Sequence, residues 1–164
     1  MDNTESLIFR VIGKIKSSYI KQAGTPIQPH LKKSADAEIH IKEEYREGLA
    51  DLESFDRIWA LTLLDRAKEY KMKVIPYRDT TERGLFATRA PSRPNNIGLS
   101  CVRLVSVNKT DGIIKVQGID FLNETPVLDI KPYVPEFDSF PESSAGWLNN
   151  TNIRKYADAR FGNK

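Results

Sequence analysis

Apolar and polar residues alternate with a period of two in stretch after stretch of this chain, and no helical periodicity of crossover length separates them as a parallel sheet would require. Across residues 8–16, Phe9, Val11 and Ile15 share one face while Arg10, Lys14 and Lys16 take the other, the pattern of a half-buried strand. Residues 38–42 repeat it. The run Ile58-Trp59-Ala60-Leu61-Thr62-Leu63-Leu64 is continuously apolar between charged ends and predicts a strand buried on both faces. Residues 100–107 and 112–121, joined by Asn108-Lys109-Thr110-Asp111, predict a hairpin. Leu49, Leu52 and Phe55 at helical spacing predict a short helix over 45–55, and residues 74–77 a strand end cut by Pro76. Four prolines, Pro126, Pro132, Pro135 and Pro141, punctuate the following extended segment, and 143–161 reads as one helix or an irregular tail. The expectation is a mainly β fold: a small closed β-barrel with one or two short helices, spanning 6–142, followed by a C-terminal helix or tail over 143–164.

A length of 164 residues suits one domain, and 40% hydrophobic with 29% charged residues is the composition of a globular protein. No window approaches the roughly 20 apolar residues of a membrane span, and the opening Met1-Asp2-Asn3-Thr4-Glu5 lacks the regions of a signal peptide, so no membrane association and a cytoplasmic location are expected. Cys101 is the single cysteine, and with His30 and His40 beside it there is no cluster at zinc spacing, so no disulfide framework and no metal are expected. The Rossmann, P-loop and nucleophile-elbow patterns are absent. Net charge is +3, but Arg10, Lys14, Lys16, Lys21, Lys32 and Lys33 stand without an acid in 6–33, and Arg83, Arg89, Arg93, Arg103, Lys109 and Lys115 face only Asp111 in 83–118. Acids collect in 43–56 and 120–142. Brought together, the basic stretches would make one positive face.

Three segments carry chemistry. Residues 84–100 crowd Gly, Pro, Asn and Arg between two apolar strands and describe a rigid, turning loop whose Arg89 and Arg93 can present guanidinium groups to a carboxylate, a phosphate or a purine. In 118–133, Asp120 and Asp129 sit among apolar neighbours, and a carboxylate there needs a partner, whether an arginine of the first loop or ribose hydroxyls. In 24–29, two prolines bracket Gln28 and expose its amide. Together they are consistent with an adenosine-bearing ligand.

Phe86-Ala87-Thr88-Arg89-Ala90-Pro91-Ser92-Arg93-Pro94-Asn95-Asn96-Ile97-Gly98-Leu99-Ser100 strongly resembles the F-A-T-R-x-P-x-R-P-N-P-I-G-x-S signature of the TsaA-like, or TrmO, family. Thr125-Pro126-Val127-Leu128-Asp129-Ile130-Lys131-Pro132-Tyr133 resembles its second signature, D-G-T-P-x-x-D-I-K-P-Y, and the likeness covers about residues 9–141. The resemblance implies a small β-barrel, S-adenosyl-L-methionine as methyl donor, a homodimer with the cofactor near the interface, and methylation of N6 of threonylcarbamoyladenosine beside the tRNA anticodon. Carried over position by position, it implies a cofactor pocket drawing on Pro26, Ile27, Gln28, Asp65, Arg66, Arg89, Leu99, Gln117, Gly118, Ile119 and Asp120. The chain departs from the family pattern where Ile27 replaces arginine, Asp65-Arg66 replaces a His-Gln pair, Asn96 replaces proline and Asn123-Glu124 replaces Asp-Gly.

Methyl transfer from a sulfonium is an in-line displacement, so holding the nucleophile in line is the main demand. The urea-like N6 must also lose a proton, and Asp120, Asp65 and Tyr133 are the candidate bases. Lys14, Lys16 and Arg93 are expected on the tRNA backbone. The competing readings are a non-catalytic barrel that binds S-adenosylmethionine or RNA, and a methyltransferase with another small acceptor.

Overall fold

The computed structural model describes residues 7–27, 36–150, 156–158 and 161; Gln28, assigned above to the cofactor pocket, and His30, Lys32 and Lys33 lie outside these. The strands are β1 (Gly13–Lys16), β2 (Asp36–Ile41), β3 (Arg57–Leu63), β4 (Lys73–Val74), β5 (Arg83–Gly84), β6 (Ile97–Asn108), β7 (Ile113–Gln117) and β8 (Pro126–Pro132). Six of them close into an antiparallel barrel in the order β1-β2-β7-β6-β3-β8, with β8 pairing back onto β1, while β4 and β5 form a separate ribbon. The period-two phase decides which residues fill the interior. Ile15, Ile39, Ile41, Ile58, Ala60, Val102, Leu104, Ile114, Val116 and Val127 turn inward and are buried. Full burial of an Ile or Val side chain contributes about 1.5–3 kcal/mol, so a slip of one residue in any strand would put that contribution in water.

Several local expectations differ from the structure. β1 starts at Gly13, with residues 13–16 in register on β2 and Ile12 alone before them bonded to Val127 of β8; Phe9, expected in the core, is 58% exposed. The helix expected over 45–55 is two 3-10 segments, Glu43–Leu49 and Leu52–Ser54, separated where Asp51 takes a left-handed φ of 63° that no helix can continue through. β3 is covered on one face only: Ile58, Ala60 and Thr62 are buried, whereas Leu63 on the outer face is 36% exposed. Asp129 lies on that outer face, ion-paired with Lys131 at 2.9 Å rather than buried. The hairpin is formed by β6 and β7 as expected. A one-turn helix, α1 (Pro135–Asp138), and a 3-10 segment at Gly146–Asn150 follow β8.

Antiparallel order gives the barrel two chemically different ends. The chain leaves β1, β3 and β7 and enters β2, β6 and β8 at one end, which collects residues 17–27, 64–67, 85–96 and 118–125. The acid-rich segment 43–56, the β6–β7 turn and Tyr133 stand at the other. Among the described residues, no helix is long and apolar enough to cross a membrane.

Candidate functional site

The first end of the barrel opens into a cavity of about 600 Å³. Its walls come from four connections: residues 20–27 after β1, 64–67 after β3, 88–93 with Ile97–Ser100 at the start of β6, and 120–125 between β7 and β8. Size and lining, largely apolar with a few convergent polar groups, suit a small organic ligand.

Asp120 lies at the floor. Ser100 Oγ donates to Asp120 Oδ1 at 2.7 Å, and burial pushes the carboxyl up to about 7, against the opposite pull of that hydrogen bond and of the nearby Arg89 charge. A carboxyl poised there accepts a proton at neutral pH far better than an ordinary one near 3.9. Ser100 reaches it because it occupies an inward position of β6, two residues beyond Gly98. A Cβ on Gly98 would lie 2.4 Å from Thr62 Oγ1 and 2.9 Å from Phe121 Cε1, so glycine lets β6, β3 and the Phe121 ring meet at the cavity floor.

The 85–96 loop is rigid for reasons visible in its hydrogen bonds. Thr88 Oγ1 donates to Leu85 O at 2.8 Å and accepts from Ala90 N at 3.3 Å; Arg93 N donates to Asn96 Oδ1 at 2.9 Å. Arg93 Nη1 donates to Thr88 O at 3.0 Å and reaches Leu85 O and Ala90 O at 3.4 Å. Arg93 therefore braces the loop as well as lining the cavity, a different task from the open phosphate contact expected of it. Arg66 is likewise engaged: its Nη2 donates to Asn123 O at 2.7 Å and Thr125 Oγ1 at 3.1 Å, its Nε lies 3.4 Å from Asp65 Oδ1, and it ties two walls together.

Two described residues after α1, Trp147 and Ala157, bond to segments of these walls. Gly24 N donates to Ala157 O at 3.0 Å and Ala157 N to Thr25 O at 2.9 Å, bringing Ala157 into the lining, while Trp147 Nε1 donates to Ala87 O at 2.8 Å under the Arg83 guanidinium. In the 20–27 segment that Ala157 pairs with, Gln22 Oε1 is a buried acceptor with no partner among the described residues. Such an atom calls for a donor from whatever fills the space.

Residues 14–139 match the profile of the family described as tRNA-methyltransferase O N-terminal domain. The chain belongs to the TrmO family. It is 41% identical over 154 residues to a protein of Pyrococcus abyssi named a probable S-adenosyl-L-methionine-binding protein, covering 94% of this chain and 82% of that one. It is 39% identical over 160 residues to the tRNA (adenine(37)-N6)-methyltransferase of Escherichia coli, covering 93% and 68%. The crystal structure of TrmO from P. aeruginosa superposes with a TM-score of 0.76 at 33% identity over 91% of this chain, which spans 64% of that longer one.

Of the residues that the TrmO resemblance assigned to the cofactor, the cavity gathers Pro26, Ile27, Asp65, Arg66, Arg89, Leu99 and Asp120. Gln117, Gly118 and Ile119 are not part of its lining. Gln117 Nε2 donates to Asp36 Oδ1 at 3.0 Å on the outer rim, Ile119 is fully buried in the barrel core, and Gly118 turns the chain between them with φ 79°. Tyr133 packs on Trp59 with ring centroids 5.8 Å apart and donates its backbone N–H to Arg57 O. Seven residues of strand separate Arg57 from Leu64 at the cavity, about 23 Å at 3.3 Å per residue, so Tyr133 cannot act there within one subunit. Ser100, Gln22 and Ala157 are cavity residues that sequence reasoning missed. For Ser100 a signal existed: it is polar on the inward, otherwise apolar phase of its strand.

Proposed function

We propose that the protein is a cytoplasmic S-adenosyl-L-methionine-dependent methyltransferase acting on N6 of threonylcarbamoyladenosine next to the tRNA anticodon. The observation that carries this reading is one cavity holding Asp120 near neutrality beside Arg89, within a fold of the TrmO family. The cavity fits the cofactor's chemistry: Ile20, Ile27, Leu64, Ile97 and Phe121 offer apolar surface to a purine, Arg89 suits a carboxylate, and the orphaned Gln22 Oε1 calls for an N–H donor. When bound, S-adenosylmethionine supplies an electrophilic methyl group on a sulfonium. Asp120, hydrogen-bonded by Ser100, would take the N6 proton as the methyl carbon–sulfur bond breaks, the N–C bond forms and the neutral thioether leaves, while the braced loop would hold the acceptor in line. Asp65 shares the cavity wall with Arg66, whose Nε lies 3.4 Å from its Oδ1, and this ion pair favours Asp120 over Asp65 as the base.

The exposed apolar row of Leu63, Ile97 and Leu99 at the cavity mouth supports a homodimer as the working form. Calorimetric titration with S-adenosylmethionine and methyl incorporation into threonylcarbamoyl-modified tRNA test the proposal together. Arg89→Ala is expected to weaken cofactor binding at least tenfold, in line with about 1.5–3 kcal/mol for a charge-assisted contact. Cofactor binding without methyl transfer would leave a sensor, and RNA binding without cofactor a plain RNA-binding barrel.

A further inference from the structure

Glu124 has the backbone of a glycine and the contacts of an anion. Its φ is 65°, a left-handed conformation that a residue with a Cβ adopts only at a cost. At this position the second signature carries glycine. The glutamate is held there by two ammonium groups: Lys14 Nζ lies 2.7 Å from Oε2, and Lys16 Nζ donates to Oε1. One carboxylate oxygen on each of two cations, two residues apart on the outer face of β1, is the arrangement that two non-bridging oxygens of a phosphodiester would reproduce. The lysines hold the Glu124 carboxyl down to about 2, so it stays an anion at every physiological pH.

The surface contact is wired to the cavity. Glu124 N donates to Ile15 O at 2.8 Å, and its neighbours Asn123 and Thr125 both accept from Arg66, which lines the cavity with Phe121, Leu122 and Thr125. Ser17 Oγ donates to Phe121 O at 2.9 Å, joining the end of β1 to the same loop.

We propose that Lys14 and Lys16 form a docking site for an RNA phosphodiester at the rim of the cavity, that Glu124 occupies it in the free protein as a built-in phosphate mimic, and that bound RNA displaces it. The inference rests on the tRNA reading above and names the place where that RNA would engage. Lys14, Lys16 and Glu124 are all partly exposed, so a phosphate has access, and the acid-rich 43–56 segment stands at the far end of the barrel where it does not repel the strand. Displacement costs two exposed ion pairs, so the mimic weakens RNA binding without abolishing it.

A double-mutant cycle tests this on the full chain, with an anticodon stem-loop RNA as probe and fluorescence anisotropy as readout. Glu124→Gln removes the charge and Glu124→Gly also removes the backbone constraint. Either is expected to tighten RNA binding about three- to tenfold at roughly 0.15 M salt, the worth of two exposed ion pairs. In a Lys14→Ala, Lys16→Ala background the same change is expected to gain nothing. An equal gain in both backgrounds would mean a general effect of net charge and would overturn the proposal; so would unchanged or weaker binding of both Glu124 variants. If no variant binds RNA while S-adenosylmethionine binds normally, it is the tRNA reading itself that fails.

Discussion

At the residue scale, Asp120 trades stability for chemistry. Its carboxyl titrates near 7 in the folded protein and near 3.9 in an unfolded chain. Between those values the folded state holds a proton that the unfolded state has lost, so this group's favourable contribution is full below about pH 4 and declines as pH rises toward 7. Asp120→Asn is therefore expected to melt above wild type at pH 8, with the difference shrinking toward pH 4 in thermal scans. The same variant is expected to lose methyl transfer by about 10²–10⁴-fold, the usual worth of a general base. Ser100→Ala removes the hydrogen bond that holds the carboxyl down, so the acid limb of the rate–pH profile should move to higher pH. Carboxyl NMR of the cofactor-free variant would read the same displacement directly; an unmoved titration would show that the serine only packs.

At the scale of elements, β6 is the strand on which the site depends. Its inward residues from Gly98 to Val102 run from the cavity floor into the core, and its first residues follow the braced loop. Gly98→Ala would drive a methyl group into Thr62 and Phe121 side chains that are themselves buried. Overpacking of this kind destabilises by about 1–3 kcal/mol, which urea unfolding would detect as a lower midpoint with an unchanged slope. Because Phe121 adjoins Asp120, a fall in cofactor affinity is expected as well. A variant with wild-type stability would mean that the three elements part more easily than this close approach implies.

At the scale of the whole molecule, the polarity of the barrel matters most. One end gathers the cavity with Arg66, Arg89 and Arg93, and Lys14 and Lys16 beside it; the other holds the acid-rich 43–56 segment, where Glu53 pairs with Lys109 at 2.8 Å. The outer apolar row of Leu63, Ile97 and Leu99 is the surface that the proposed dimer would cover. Light scattering at micromolar concentration is expected to give a dimer mass, and Leu63→Lys, which charges that row without touching the interior, a monomer mass. A monomer for wild type would remove the dimer from the functional proposal.

The sequence by itself determined the class of fold and the composition of the site. The period-two phase of the strands is a local property, and burial of Ile39, Ile58, Val102 and Ile114 leaves that phase one way to face. The loop of 84–100 was legible because Gly, Pro and Asn restrict the backbone wherever they occur. What each charged group does was decided only by the tertiary structure, because charges act across space on partners remote in sequence. Arg93 turned back onto its own loop, Lys14 and Lys16 met Glu124 more than 100 residues away, and Tyr133 was carried to the far end by the direction of β8. Asp120 met Ser100, twenty residues upstream, only once β6 and the β7–β8 connection were folded against each other. Its carboxyl owes its proton affinity to the depth at which the closed barrel holds it, a quantity that no run of neighbouring residues encodes.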